Sequence, residues 1–235
     1  MALAKVILFD VDGTLVLTGG AGLRAMGLAF EELFGISGAL ANVPMAGRTD
    51  SWILTQLAEA HGLTSRPAEL ARFPETYLKY LPEEIEKPGP RKGVMPGVRE
   101  LLDSLASRSD VHLALLTGNY RDGARAKLEY FDLWRYFKGG AFGDAALDRN
   151  ALVQEALDAV VACGGPQVPA AHAVIIGDTP LDVACAAHAG ARSIAVATGN
   201  YEPAALRAAG ADAVFEDLSE TAEVVSEIDR LGSRG

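Results

Sequence analysis

The sequence predicts an α/β protein: a Rossmann-like parallel-sheet core carrying an inserted α-helical cap. Three observations predict it. Beyond about residue 93, short apolar runs alternate with helical patterns, as βαβ units do. Between about 21 and 86 helical patterns follow one another with no strand among them. The first apolar run, Val6-Ile7-Leu8-Phe9, stands alone before that stretch, so it must pair with strands that come later. The expected division is a core of residues 1–16 and 93–235, with a cap of residues 17–92.

Taken in order, Val6 to Phe9 suits a strand buried on both faces, and Asp10-Val11-Asp12-Gly13-Thr14-Leu15 follows where it should end. Leu17 to Gly22 is too glycine-rich for regular structure and reads as a flexible flap. Leu23, Met26, Phe30, Leu33 and Phe34 share a helical face that stops at Gly35. Thr49 or Asp50 can cap a second helix, which ends at Gly62. A third is expected from Pro67 to about Tyr80, bent or divided by Pro74. Phe30, Phe34, Trp52, Phe73 and Tyr77 recur at helical spacing as cap core. Residues 87–97 hold three prolines and three glycines, the composition of a boundary. Then come a helix around Val98–Leu105, a strand at His112–Leu116, a helix to about Tyr130 and a short strand near 140–142. A helix over 150–163, a strand at 173–176, a helix over 180–189, short strands at 193–197 and 213–215 around one more helix, and a final helix to about Leu231 complete the chain.

The 235 residues supply ample core, with 49% hydrophobic and 22% charged content. Thirty-one acidic against 21 basic residues give a net charge of −10, which argues against nucleic acid or an anionic membrane as the main partner. It leaves small phosphorylated substrates open, because a divalent cation and local amides offset the field. The two cysteines, Cys163 and Cys185, lie in apolar helical patterns and are expected to be reduced and buried in a cytoplasmic protein. No secretory signal pattern and no 18-residue apolar stretch are visible. Monomer and homodimer are both open.

Three strands finish in polar and small residues: Asp10, Asp12 and Gly13 on the first, Thr117-Gly118-Asn119 on the second, Gly177-Asp178 on the third. In a parallel sheet these ends converge on one edge. Three carboxylates there raise one another's pKa unless a cation sits between them. Oxygen-only ligands suit a hard cation, with Mg²⁺ the natural choice. Thr117 and the loop amides, those of Gly13, Gly118 and Asn119 among them, suit phosphate oxygens. Arg149, at a predicted helix start, could supply a fixed cation. An Asx-type turn or a solvated arginine is the plain alternative for each feature taken alone.

Together, Asp10-Val11-Asp12-Gly13-Thr14-Leu15, Leu116-Thr117-Gly118-Asn119 and Ile176-Gly177-Asp178-Thr179-Pro180-Leu181-Asp182 resemble the first, second and fourth motifs of the haloacid dehalogenase-like superfamily. The whole chain looks like its phosphoglycolate-phosphatase-like branch with an α-helical cap. One departure is that the third motif, usually lysine, is represented by Arg149, a fork where the family has a point charge. The resemblance implies a Mg²⁺-dependent phosphatase acting on a small phosphorylated metabolite, phosphoglycolate being the nearest family substrate. It makes Asp10 the nucleophile and Asp12 the acid–base. Mg²⁺ would be held by Asp10, the backbone carbonyl of Asp12 and Asp178, with Asp182 a supporting or water-mediated partner, and Thr117 and Arg149 would bind the phosphate.

A sugar-phosphate mutase of the same fold keeps both acids of the first motif. A 2-haloacid dehalogenase needs neither Asp12 nor the metal. A phosphonatase-like enzyme would want a cap lysine, for which Lys79 is the interior candidate, although it reads as solvated. A receiver-type signalling domain has no helical insertion after its first strand. In the cap, Arg48 is the residue expected to touch an anionic leaving group, and Arg24 is a weaker candidate; either could be an ordinary surface arginine. His61, His112, His172 and His188 are scattered and read as structural or surface residues.

Overall fold

The computed structural model describes residues 5–41 and 43–233. Strand β1 (Lys5–Phe9) is buried along its whole length. Its alternation sends Ile7 and Phe9 into one apolar cluster and Val6 and Leu8 into another, so the sheet is covered on both faces. Six strands form that sheet in the order β5 (Gly140–Ala141), β4 (Val111–Leu116), β1, β6 (Ala173–Gly177), β7 (Arg192–Val196), β8 (Ala213–Phe215), with every pairing parallel. The interrupted first strand therefore sits at the centre, between two strands that come after the helical segment.

Helices α5 (Val98–Ala106), α6 (Arg121–Tyr130) and α10 (Thr221–Gly232) cover the face that holds Ile7 and Phe9. Helices α7 (Leu152–Ala162) and α8 (Pro180–Ala189) cover the other. The short helix α9 (Pro203–Ala208) packs Leu206 against Val183 and Ala195.

Between β1 and the rest of the sheet, α1 (Ala21–Phe34), α2 (Asp50–Ala60), α3 (Pro67–Ala71) and α4 (Phe73–Glu86) gather around their own apolar cluster. Phe30, Phe73, Tyr77 and Leu81 are fully buried there. Thr49 caps α2, its side chain accepting from the Trp52 amide. Pro74 stands in the first turn of α4 and marks the break from α3. The helix then runs past Tyr80 and through Pro82. Loss of one ladder bond at that proline is tolerated because Leu81 and Ile85 stay locked in the cluster.

Two short strands are not legible from periodicity. β2 (Val16–Leu17) and β3 (Gly93–Val94) pair antiparallel, Val16 opposite Val94, so the chain leaves for the four helices and returns at the same place. The expectation of two buried thiols is half wrong. Cys185 is buried, but Cys163 is exposed at the C-terminal end of α7, where the apolar pattern has run out; both thiols are free.

Truncating Phe30 to alanine removes a fully buried ring from the helical cluster. It should cost about 3–5 kcal/mol in urea unfolding, whereas Val161→Ala, 44% exposed on α7, should stay within about 0.5 kcal/mol.

Candidate active site

Register brings the strand ends together. Phe9 lies opposite Leu115 on one side and Ile176 on the other. The next residues along, Asp10, Leu116 and Gly177, therefore stand at one level, with Thr117 and Asp178 just beyond. Gly13 turns the chain with φ +86°, and a Cβ there would lie 2.5 Å from Asp178 Oδ2. Gly177 and Gly199 are equally constrained: a Cβ on either would collide with Asp182 or Asp178. The glycines allow backbone and carboxylate to share one small volume.

Asp10, Asp178 and Asp182 can each bring an oxygen within 4.8 Å of the others, and all three are buried. Asp182, at the third position of α8, closes a capping box. Its Oδ2 accepts from the Thr179 amide at 3.0 Å and the Thr179 hydroxyl at 2.7 Å. Its Oδ1 accepts from Arg149 Nη2. The same Nη2 lies 3.0 Å from Asp10 Oδ1 and donates to the Leu116 carbonyl at 3.2 Å, while Nη1 donates to the Gly47 carbonyl at 3.2 Å. Arg149 reaches this position from a short 3₁₀ turn, Arg149–Ala151, capped by the Asp148 side chain. It is 6% exposed.

One guanidinium among three carboxylates leaves an excess of negative charge. Burial, opposed by Arg149 and reinforced by Asp182 and Asp12, lifts Asp10 to about 6. Burial together with Asp10 and Asp182 holds Asp178 well above the usual carboxylate range. These are the conditions a divalent cation would relieve.

Thr117 is fully buried and its Oγ1 accepts from Asn119 Nδ2 at 2.9 Å. Asp12 stands apart from the acidic trio: its Oδ2 accepts from Asn119 Nδ2 at 2.8 Å and from Lys127 Nζ at 2.5 Å. Above these groups a cavity of about 270 Å³ is lined by Met26, Met45, Ile53 and Tyr77 from the helical segment and by the strand-end residues beneath. Arg48 lies on its wall, with the guanidinium stacked 4.4 Å over the Trp52 ring. Arg24 is turned elsewhere, bound to Glu84 and the Gly19 carbonyl. Lys79 pairs with Glu32 on the surface.

Sequence reasoning missed several participants. Lys127 lies inside the helical pattern that runs to about Tyr130, and its signal is its place one turn after Gly123 and Ala124 on the face that α6 buries. Asp50, noted only as a possible cap, is buried, with Oδ2 accepting from the Tyr120 amide at 2.8 Å and its own amide donating to the Gly118 carbonyl at 2.7 Å. Ser51 donates to the Gly143 and Asp144 carbonyls. These bonds seat the start of α2 directly on the loop after β4. A Cβ on Gly118 would come within 2.1 Å of the Arg48 carbonyl, and one on Gly47 within 2.6 Å of Thr179 Oγ1. The helical segment thus meets the strand ends through its backbone.

The chain belongs to the haloacid dehalogenase-like hydrolase family, whose model matches residues 7–187. It is 31% identical over 230 residues to a phosphoglycolate phosphatase of Rhodospirillum rubrum, covering 92% of this chain and 88% of the relative. Among solved structures, a predicted phosphatase from Clostridium acetobutylicum superposes with a TM-score of 0.71 at 21% identity, over 96% of this chain and all of the other. A provisionally named β-phosphoglucomutase from Thermotoga maritima does so at 0.60 and 25% identity, over 95% and 99%.

Burial pushes Asp50 up to about 7, with Lys127 and the Tyr120 amide opposing and Asp12 and Asp144 assisting. A carboxyl whose folded pKa is raised stabilises fully below its unfolded value near 4, and that contribution is lost as pH rises through about 7. Asp50→Asn keeps an acceptor for Tyr120 without the ionisation. Relative to the parent, it should gain stability between about pH 4 and 7, by at most about 1.4 kcal/mol per pH unit, and level off above that, as read by urea unfolding across that range.

Proposed function

We propose that this protein is a Mg²⁺-dependent phosphatase that hydrolyses a small phosphorylated metabolite through an aspartyl-phosphate on Asp10. The observation that carries the reading is the buried, cation-deficient trio Asp10, Asp178 and Asp182, with Arg149 inside it and Asp12 beside it, at the floor of a small cavity. The similarity to a phosphoglycolate phosphatase supports the reaction class and makes phosphoglycolate the first substrate to try.

In this reading Asp10 attacks phosphorus. Arg149 holds its carboxylate in place and, with Thr117 and the amides of Gly118 and Asn119, receives the phosphoryl oxygens, while the Gly13 amide donates to the Val16 carbonyl at 2.9 Å and serves the turn. Asp12 gives its proton to the departing ester oxygen and then takes one from the water that hydrolyses the acyl phosphate. The donor set fits Mg²⁺: Asp10, Asp178 and the Asp12 carbonyl would hold it, while Asp182, with both oxygens engaged by Arg149 and Thr179, steadies the others. The ion supplies charge neutralisation of the transferring phosphoryl group. Residues 17–92 act as a cap over the core of 1–16 and 93–235, excluding water and setting specificity, with Arg48 the cap cation nearest an anionic leaving group.

A second reading, a sugar-phosphate mutase, draws on the resemblance to the Thermotoga maritima protein. It requires a second phosphate cradle in the cap, and among the described cavity-lining residues Arg48 is the sole cap cation. That disfavours it.

Asp10→Asn, nearly isosteric, should lower turnover of p-nitrophenyl phosphate or phosphoglycolate by more than ~10³-fold while the fold is kept. EDTA should abolish parent activity. Mg²⁺ should also raise the melting temperature, and the rise should grow as pH increases through about 6, where Asp10 loses its proton. A melting temperature indifferent to Mg²⁺ at pH 7.5 would count against the metal site.

A further inference from the structure

Lys127 is 4% exposed, and the reaction as described gives it no part. Its Nζ donates to Asp12 Oδ2 at 2.5 Å and to Asn119 Oδ1. Asn119 Nδ2 donates to that same Asp12 oxygen at 2.8 Å. The three side chains close a ring in which both donors take one carboxylate oxygen. A Cβ built on Gly22 would stand 3.4 Å from the ammonium and 3.7 Å from the Tyr77 hydroxyl, so α1 and α4 cover Lys127 from the cap side. Gly123, one turn earlier on α6, leaves room for the Tyr77 ring, which would lie 3.0 Å from a Cβ there. Burying an ammonium costs several kcal/mol unless it is paired. The Asp12 side chain, 40% exposed, needs no buried partner to remain solvated. The arrangement directs a carboxylate more than it stabilises a fold.

We propose that Lys127 is a positioning residue for the acid–base step: with Asn119 it occupies Asp12 Oδ2 and leaves Oδ1 as the oxygen that exchanges a proton with the substrate. The inference rests on the phosphatase reading. In the first half-reaction the Asp10 oxygen bonds to phosphorus as the ester oxygen–phosphorus bond breaks, and the proton on Asp12 Oδ1 passes to that ester oxygen. The charge left on the Asp12 carboxylate is held at Oδ2 by Lys127 and Asn119. In the second, a water oxygen bonds to phosphorus, the bond to Asp10 breaks, and the water proton returns to Oδ1. Lys127 keeps its protons throughout and touches neither the ester nor the phosphorus.

Such a role depends on the leaving group. p-Nitrophenolate departs with little help, whereas an alkoxide needs the proton. Lys127→Met should therefore lower kcat/KM for an alkyl phosphate, phosphoglycolate or glycerol phosphate, by about 10²-fold, and for p-nitrophenyl phosphate by less than about 5-fold. Competitive inhibition by inorganic phosphate and the Mg²⁺ concentration for half-maximal activity should not change, because Lys127 belongs to neither the phosphate cradle nor the ion site. Lys127→Gln, which removes the charge, carries the same test where the methionine variant does not fold, and Lys127→Arg, which keeps charge and donors, should lose less for the alkyl esters than either. An equal loss for both esters in folded Lys127→Met or Lys127→Gln, weaker phosphate inhibition, or no loss at all in these two would overturn the proposal. A parent protein that hydrolyses neither ester would instead overturn the phosphatase reading on which it rests.

Discussion

The site depends on one buried guanidinium. Arg149 bridges Asp10 and Asp182 from within the protein through Nη2, which also reaches the Leu116 carbonyl on the sheet, while Nη1 reaches the Gly47 carbonyl in the segment before α2. Without it, three carboxylates would share a dry volume with no positive partner, and such crowding is relieved only by protonation or by a cation. With it, the cluster is partly neutralised and still wants charge. That residual demand for positive charge is what a divalent ion can meet, and the ion would in turn attract a phosphate. Fold and chemistry meet here, because the same contact ties β4, α8 and the helical segment to the carboxylate that would attack phosphorus.

A second constraint is distance. The segment Gly47-Arg48-Thr49 lies so close to the strand ends that a single methyl group at Gly47 or Gly118 would not fit. Side chains long enough to bridge the seam are therefore few, and most of the docking is done by Asp50, Ser51 and backbone carbonyls. The cavity above this seam, about 270 Å³, is of a size that suits the small leaving group of the proposed reaction.

The strand ends were legible because a buried strand finishing in Asp10-Val11-Asp12-Gly13 is more acidic than a turn requires, and parallel pairing brings two more such ends beside it. That β1 pairs with later strands followed from the helical insertion; its central place in the sheet is a finding of the structure. Lys127 was not legible, since a lysine in an amphipathic helix is ordinarily solvated and only the folded seam reveals that α1 and α4 cover it. β2 and β3 are two residues each, too short to carry a period. The extension of α4 through Pro82 and the exposure of Cys163 are tertiary outcomes: packing around Leu81 and Ile85 overrides the proline in one case, and the end of the apolar pattern at a helix terminus decides the other.

The central claim is that phosphorus is transferred to the carboxylate of Asp10 before water takes it. The most direct test is rapid acid quench during turnover with Mg²⁺, followed by peptide mapping of any phosphorylated aspartate. The account predicts a hydroxylamine-labile phosphate adduct on the peptide carrying Asp10, formed and lost at rates compatible with turnover. Sustained hydrolysis with no such adduct, or an adduct on another residue, would contradict it.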